Sequence, residues 1–454
     1  MYFLDLCLSH DYRTFVSPPL EFEEQAPFCS IERNMDKLII HGGQRLEGTV
    51  RISGAKNAAL ALIPAALLAP GKNLITNTPN IKDVKTVSRL LEAMGAYCML
   101  EGENLMIDSS GVNSFEAPYE HVKQMRASIN VLGPLLARFG EARVSLPGGC
   151  AFGPRPVDLH LKGFEKLGAE ITIENGYIHA VAKELKGNRI HFDISSVGAT
   201  ENVLTAAVKA KGTTLMTNAA MEPEVTALAE MLVKMGAKID GIGTTTLTIE
   251  GVDELHPVEF ANIPDRIEAA TFLIAAAMSR GDVMLENVYP GHLDAVIAKM
   301  EEAGVQLDIQ ENRIRVRMDG LPKPTDMTTA VYPGFPTDVQ AQWIAFMLCA
   351  NGASRITDTI YHTRFHHVPE LQRLGAHIEM AENSAIVFGG HPLTGATVMS
   401  SDLRASASLL ISALIAEGRS EVLRVYHIDR GYEEIEKKFG QLGAMIERVK
   451  TEEF

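Results

Sequence analysis

The feature that most restricts how this chain can fold is a repeat. A hydrophobic–Gly–small step recurs six times, at Gly95, Gly168, Gly236, Gly304, Gly375 and Gly443, with intervals of 73, 68, 68, 71 and 68 residues. A second series of glycines closes apolar helical runs at Gly71, Gly140, Gly212, Gly281, Gly352 and Gly418, with intervals of 69, 72, 69, 71 and 66. Two independent series that keep one period define six structural repeats.

Each repeat has the same internal grammar. A short strand leads into a helix that is apolar nearly all round, as in NAALALIPAALLA, and such a helix belongs in an interior. A glycine in the left-handed conformation is expected to end it. A further strand leads to an amphipathic helix. In VKTVSRLLEAMG, Val84, Val87, Leu91 and Met94 share one face at helical spacing. The LGA-type step ends that helix. Two alternating strands follow around a polar turn, and Asn175-Gly176 within EITIENGYIHAVA is a strong hairpin signal. The expected unit is therefore βαβαββ. Two groups of three such units, with sheets packed around buried helices, accommodate both kinds of helix in an α/β fold.

Composition removes several functional classes. The chain carries 42 Lys and Arg against 57 Asp and Glu, a formal charge of −15. A general nucleic-acid binder needs clustered cations to neutralise phosphates, so that class is not expected. The longest uncharged apolar run, Ala58 to Pro70, has 13 residues, whereas a membrane-spanning helix needs about 20. The five cysteines, Cys7, Cys29, Cys98, Cys150 and Cys349, form no CxxC pair, which argues against a disulfide framework and a structural zinc. The opening MYFLDLCL lacks a basic start and a small-residue cleavage pattern, so the expected address is the cytoplasm. Residues 1–34 do not share the repeat grammar, and they are expected to be an untranslated or dispensable tail ahead of Met35.

Counting back 14 to 16 residues from each helix-closing glycine reaches a polar or charged residue at the start of each buried helix. These are Lys56-Asn57, Arg126, Ser196, Asp265, Asp338 and Arg404. Ser196 and Asp265 read equally as ordinary N-caps. Asp338 also reads as a cap after a Pro-rich turn. Lys56, Arg126 and Arg404 do not fit that role, because a cation beside the positive end of a helix dipole is unfavourable. An anionic ligand would compensate them, and helix starts furnished with Lys and Arg suit phosphate or carboxylate.

The most irregular segment is SLPGGCAFGPRPVDLH, Ser145 to His160, which reads as a mobile lid. Cys150 lies among its glycines with Arg155 five residues on, surroundings that lower a thiol pKa. Cys98 and Cys349 sit in apolar runs and read as small buried hydrophobes.

The motifs SGAKNAAL, MRASI, LPGGCAFGPRPVDLH, SSVGAT, PDRIE, YPGFPTD, SDLRASASL and YHIDRGYE, in that order, resemble the UDP-N-acetylglucosamine enolpyruvyl transferases. The resemblance runs from about Met35 to Lys450. It implies a two-domain inverse α/β barrel with three βαβαββ units per domain and a substrate cleft between the domains. It further implies transfer of enolpyruvyl from phosphoenolpyruvate to the 3-hydroxyl of UDP-N-acetylglucosamine with release of phosphate, the first committed step of bacterial peptidoglycan synthesis, without metal or organic cofactor. The boundaries expected on this basis are residues 35–55 plus 264–454 for one domain and 56–263 for the other.

Carried over motif by motif, Cys150 would donate a proton to the methylene of phosphoenolpyruvate and would be the thiol alkylated by fosfomycin. Asp338 would take the proton from the sugar hydroxyl. Lys56, Arg155 and Arg430 would hold the phosphate, with Asn57, Arg126 and Arg404 completing the surround of phosphoenolpyruvate. The nucleotide-sugar side would be lined by Arg126, Arg155, Pro156, Val157, Asp158, Leu159, Ser195, Ser196, Val197, Gly198, Asp338 and Ile360. Relatives with Asp at the loop cysteine resist fosfomycin; Cys150 implies sensitivity. One stretch departs: His362 and Thr363 stand where the family commonly shows Glu and Asn.

Three other readings remain. The shikimate-pathway enolpyruvyl transferase shares fold and donor, but it lacks a catalytic loop cysteine and opens with a Lys-Ser-type motif where this chain has AKNAAL. A non-catalytic paralogue that binds the UDP-sugar would not need Cys150, Lys56, Asp338 and Arg430 together. A ring-forming repeat protein around nucleic acid would need a basic stripe that this acidic chain lacks.

Overall fold

The computed structural model describes residues 35–122, 126–146 and 157–451. The expectations for residues 1–34 and for the glycine-rich part of the lid therefore lie outside the described residues. The described chain from Met35 onward forms six four-stranded sheets, all with one strand order. In the third, Arg189–His191 pairs parallel with Thr213–Thr217, which pairs antiparallel with Thr246–Glu250, which in turn pairs with Lys238–Asp240. This is the βαβαββ unit: a buried helix joins the two parallel strands, and an amphipathic helix leads to the final hairpin.

The sheets distribute over two hydrophobic cores, three around each, and this is the two-domain architecture. One core holds the helices Lys56–Ala65, Leu132–Phe139 and Val197–Ala207. The other holds Arg266–Met278, Gln340–Met347 and Leu403–Ile415. Every residue of Arg266–Met278 is buried, as its all-round apolar stretch from Phe272 to Met278 requires, and the buried Arg266 and Glu268 of its first turn are ion-paired. In the amphipathic helix Lys82–Ala93, Val84, Val87 and Leu91 are buried together with Met94 just beyond it.

The repeats are not self-contained. Glu47–Arg51, which precedes the first buried helix, pairs with Asp282–Glu286 of the fourth repeat. Glu259–Ala261, which precedes the fourth buried helix, pairs with Lys72–Thr76 of the first. The first strand, Met35–His41, inserts antiparallel between Arg419–Leu423 and Met445–Thr451 and completes the sixth sheet. The two crossings run side by side: Ala55 N–H donates to Ile263 O at 2.7 Å and Asp265 N–H to Ser53 O at 2.9 Å. Gly54 is required there, because a Cβ would lie 1.6 Å from the Asn77 carbonyl oxygen.

All six glycines of the LGA-type series adopt positive φ, from 91° to 110°. The helix-closing series needs one correction. In the fourth repeat the left-handed residue is Arg280, with φ 53°, and Gly281 is not left-handed. Gly281 serves close approach instead, since a Cβ would meet the Leu46 carbonyl oxygen at 2.3 Å. Asn175 and Gly176 form the expected turn, with φ 52° and 79°.

Three asparagines show a further repeated device. Asn77, Asn218 and Asn287 follow corresponding strands in the left-handed conformation. Their side-chain amides donate to Asn262 O, Phe192 O and Ile52 O at 2.9, 2.7 and 2.7 Å. Each thereby ties the chain end of the neighbouring parallel strand. Among the described residues no helix is long and apolar enough to cross a membrane.

Candidate active site

The buried helices begin as the sequence suggests, with different consequences at each. Ser196 is the N-cap of its helix, accepting from Ala199 N–H at 3.4 Å. Asp265 caps the fourth buried helix through Ile267 and Glu268 N–H, and its second oxygen accepts from Lys56 N–H at 3.0 Å. Asp338 caps nothing. It lies in the short turn Thr337–Val339 ahead of Gln340–Met347, and its carboxylate is engaged by cations. The cap at the sixth buried helix is Asp402, which frees the Arg404 side chain for another use.

Two carboxylates organise the cations. Asp338 Oδ1 accepts from Arg364 Nη1 and Oδ2 from Arg404 Nη2, both at 2.8 Å. Arg404 also donates to the Tyr432 hydroxyl at 3.4 Å, and that hydroxyl shares a 2.8 Å bond with Thr271 Oγ1. Asp83 holds the second pair. Arg430 donates Nε and Nη2 to its two oxygens at 3.1 and 3.3 Å, while Lys56 Nζ lies 3.2 Å from Oδ2. Asp83 and Lys56 belong to the first domain and Arg430 to the second, so this cluster spans both cores. The Asp83 side chain is only 3 % exposed, against 27 % for Asp338.

The charges perturb one another. The Asp338 carboxyl is desolvated, yet the Arg404 and Arg364 guanidiniums hold it well below the usual carboxylate range. Burial lowers the Lys56 ammonium; Asp83 opposes that shift, while Arg404 and Arg430 add to it. Lys56 therefore senses both carboxylate clusters. Lys56, Arg364, Arg404 and Arg430 thus gather around Asp83 and Asp338 as cations suited to an anionic ligand.

A second group lies in the first domain. Val157, Asp158 and Leu159 open the helix Asp158–Lys166, and Ser195 to Gly198 open Val197–Ala207. The buried His160 joins them. Its Nδ1 is 3.1 Å from Asn202 Nδ2, and a Cβ on Gly198 would touch its ring at 3.3 Å. Ile360 is 37 % exposed and sits on the loop that leads to Arg364. Asn57 is half-buried beside Lys56. Arg126 begins the helical turn Arg126–Val131, as expected for a helix start. Cys150, Arg155 and Pro156 lie outside the described residues. Cys98 and Cys349 pack at the edges of the cores, where burial pushes both thiols up to about 12.

Sequence reasoning missed Asp83, Asp402, Tyr432 and Gln342, and gave Arg364 no role beyond its motif. Gln342 Nε2 donates to Asp338 O at 3.1 Å and bonds Thr271 and Tyr432, which fixes the turn that carries Asp338. No local signal marks Asp83, since an acid in the first turn of an amphipathic helix is ordinary helix chemistry. His362 and Thr363 are exposed, while Arg364 beside them is buried. Among the described residues no three His, Cys, Asp or Glu side chains gather as a metal ligand set.

Comparison with known proteins shows the family. The EPSP synthase family (3-phosphoshikimate 1-carboxyvinyltransferase) matches residues 40–439. The UDP-N-acetylglucosamine 1-carboxyvinyltransferase of Chloroherpeton thalassium is 57 % identical over 423 residues, covering 92 % of this chain and 99 % of that protein. The chain belongs to the EPSP synthase family. Within it, the protein of the same name from Desulfosudis oleivorans is 52 % identical over 415 residues, covering 91 % of this chain and all of that one.

Among solved members of the family's fold, the enolpyruvyl transferase NikO from Streptomyces tendae superposes with a TM-score of 0.84 at 27 % identity, over 92 % of this chain and 100 % of its own. An EPSP synthase from Acinetobacter baumannii gives 0.72 at 18 % identity, over 91 % and 100 %, a likeness of fold alone. The family's two-domain architecture is thus the setting in which both aspartate-centred clusters sit.

Proposed function

We propose that this chain transfers the enolpyruvyl group of phosphoenolpyruvate to the 3-hydroxyl of UDP-N-acetylglucosamine and releases phosphate, as a cytoplasmic step of peptidoglycan synthesis. The observation that carries the reading is the cluster of Lys56 and Arg404, which begin buried helices, with Arg364 and Arg430 from neighbouring connecting segments, in a chain whose full-length relatives are named for that reaction. Phosphoenolpyruvate carries about three negative charges, and such cations at helix starts suit its phosphate and carboxylate.

The reaction adds the sugar oxygen to C2 of the enol while a proton reaches C3, then eliminates phosphate and a proton from C3. Asp338 takes the hydroxyl proton and Cys150 supplies the proton to C3. An acid and a base offered from different domains meet when the domains close, which also excludes water. While Arg364 and Arg404 grip Asp338 it is a weak base. The carboxylate of phosphoenolpyruvate competes for those two guanidiniums, and each hydrogen bond Asp338 yields moves its pKa up toward the working range. Lys56 and Arg430, with Arg155, hold the phosphate, and Asp83 keeps the first two in place. Asn57 and Arg126 complete the donor's surround. Residues Pro156 to Leu159, Ser195 to Gly198 and Ile360 line the nucleotide-sugar side. The paired crossings at residues 53–56 and 263–265 support 35–55 plus 264–454 and 56–263 as the two domains.

The test is phosphate release from phosphoenolpyruvate with UDP-N-acetylglucosamine, beside Cys150→Ala and a shikimate 3-phosphate control. Release with the UDP-sugar alone, lost in the variant, is expected. Release with shikimate 3-phosphate would move the chain to the other branch of the family.

A further inference from the structure

Asp358 is fully buried at the end of the strand Ala353–Thr357. Its four partners are all neutral donors. Oδ1 accepts from Thr329 Oγ1 at 2.9 Å, Ile360 N–H at 2.9 Å and Tyr361 N–H at 2.8 Å. Oδ2 accepts from Thr337 Oγ1 at 2.7 Å. The two backbone bonds shape its own loop. The Thr337 bond is different, because it crosses to the turn that carries Asp338.

A threonine hydroxyl has a single proton. Given to Asp358, that proton leaves the oxygen of Thr337 as an acceptor only, and Arg364 Nη1 donates to it at 3.0 Å. The other hydrogen of the same Nη1 goes to Asp338 Oδ1 at 2.8 Å. The chain Asp358, Thr337, Arg364, Asp338 therefore has one polarity throughout, set by the buried carboxylate. Thr329 reinforces the corner: its hydroxyl accepts from Thr359 N–H at 3.0 Å, and its carbonyl accepts from Thr359 Oγ1 at 2.6 Å.

We infer that Asp358 is a positioning residue for the reaction: through Thr337 and Arg364 it orients the carboxylate of Asp338, and through the backbone of Ile360 and Tyr361 it sets the loop on the nucleotide-sugar side. The inference rests on the reading of Asp338 as the base. Hydrogen-bond polarity gives it a signature that packing alone lacks. In Asp358→Asn an amide donor that faces Thr337 forces the hydroxyl to accept from it, which turns the threonine proton toward the Arg364 guanidinium and breaks the relay.

The experiment measures steady-state phosphate release and thermal unfolding for wild type, Asp358→Asn, Thr337→Val, Thr337→Ser and the Asp358→Asn/Thr337→Val pair. Thr337→Val should lower kcat about 10- to 100-fold with KM for the UDP-sugar within about threefold, the scale of losing an orienting contact. Thr337→Ser should restore most of kcat, because it keeps the hydroxyl. The double variant should be no slower than Asp358→Asn alone, since both cut one relay. Should Asp358→Asn fail to fold, the Val and Ser pair decides alone. An active wild type with Thr337→Val unimpaired, Ser as poor as Val, or multiplicative losses in the double variant each overturn the role of Asp358. A wild type that releases no phosphate from phosphoenolpyruvate with UDP-N-acetylglucosamine overturns the function itself and this role with it.

Discussion

Replacing Asp83 by Asn keeps the volume of the side chain and removes one charge. In the wild type that charge sits between Lys56 Nζ at 3.2 Å and the bidentate Arg430 at 3.1 and 3.3 Å, with the Asp83 side chain 3 % exposed. Breaking a buried pair by removing one partner costs about 3–5 kcal/mol. Arg430 keeps 29 % of its side chain in solvent, so hydration offsets part of the loss and the lower end, about 3 kcal/mol, applies. At roughly 2–4 °C per kcal/mol for a domain of this size, the unfolding temperature should fall by about 6–12 °C. The two cations left behind form a vacant anion site, so inorganic phosphate should restore at least half of the lost stability in the variant and move wild type less. Differential scanning fluorimetry with and without phosphate measures both quantities. An Asp83→Asn protein within about 2 °C of wild type would mean that the pairing contributes little. A destabilised variant indifferent to phosphate would refute the assignment of Lys56 and Arg430 as anion ligands.

Two further predictions concern the junction of the domains and its titration. Arg266, at the start of a second-domain helix, donates to Glu224 of the first domain at 3.1 and 3.3 Å, with side chains 9 % and 3 % exposed. Arg266→Met should therefore split unfolding into two calorimetric transitions, and one unchanged cooperative peak would refute that coupling. The Glu201 carboxyl is pushed up to about 8 from 4.5, mainly by burial and secondarily by Glu224, whereas burial pushes His367 down to about 4 from 6.5. Between pH 4.5 and 8 the folded chain keeps a proton on Glu201 that the unfolded chain has lost, so stability falls as pH rises across that window. Between pH 6.5 and 4 the unfolded chain takes up a proton that folded His367 refuses, so stability falls as pH drops. The two contributions offset each other between pH 4.5 and 6.5, so stability should be greatest there and fall from 6.5 toward 8; Glu201→Gln should flatten that alkaline fall by on the order of a few kcal/mol, and an unchanged slope in urea titrations would refute the assignment.

The repeat and its helices were legible because each leaves a local mark. A helix end needs a left-handed residue, and glycine supplies it at Gly95, Gly168, Gly236, Gly304, Gly375 and Gly443. The same logic misread Gly281, because a backbone clash with Leu46 O also demands glycine and leaves the same letter in the sequence. The exchange of strands between the first and fourth repeats was not legible. Glu47–Arg51 buries only Val50, a pattern that any of the six sheets would accept, and its partner lies more than two hundred residues away. The paired crossings at Gly54 and Pro264 decide the partner, and they are a tertiary fact.

The candidate site divides the same way. Its cations stand out in sequence because Lys56 and Arg404 begin helices, where a positive charge is misplaced unless something negative faces it. Its acids do not stand out, because Asp83 in the first turn of a helix and Asp358 at a strand end are ordinary residues in ordinary places. Yet the cations require the acids. Four clustered positive charges, Arg364 and Arg404 buried and Lys56 and Arg430 partly so, would repel one another whenever the ligand is absent, and an unpaired buried charge is costly. Asp83 and Asp338 meet that need as internal anions, one beneath the proposed phosphate site and one at the proposed base. Of the two, only Asp338 keeps substantial solvent access, 27 % against 3 %. The exposed member is the one that can surrender its arginines to an incoming carboxylate, and it is also the one that must become basic when it does. On this argument pairing and catalysis are successive states of one carboxylate, and the deeper Asp83 holds the frame while that exchange takes place.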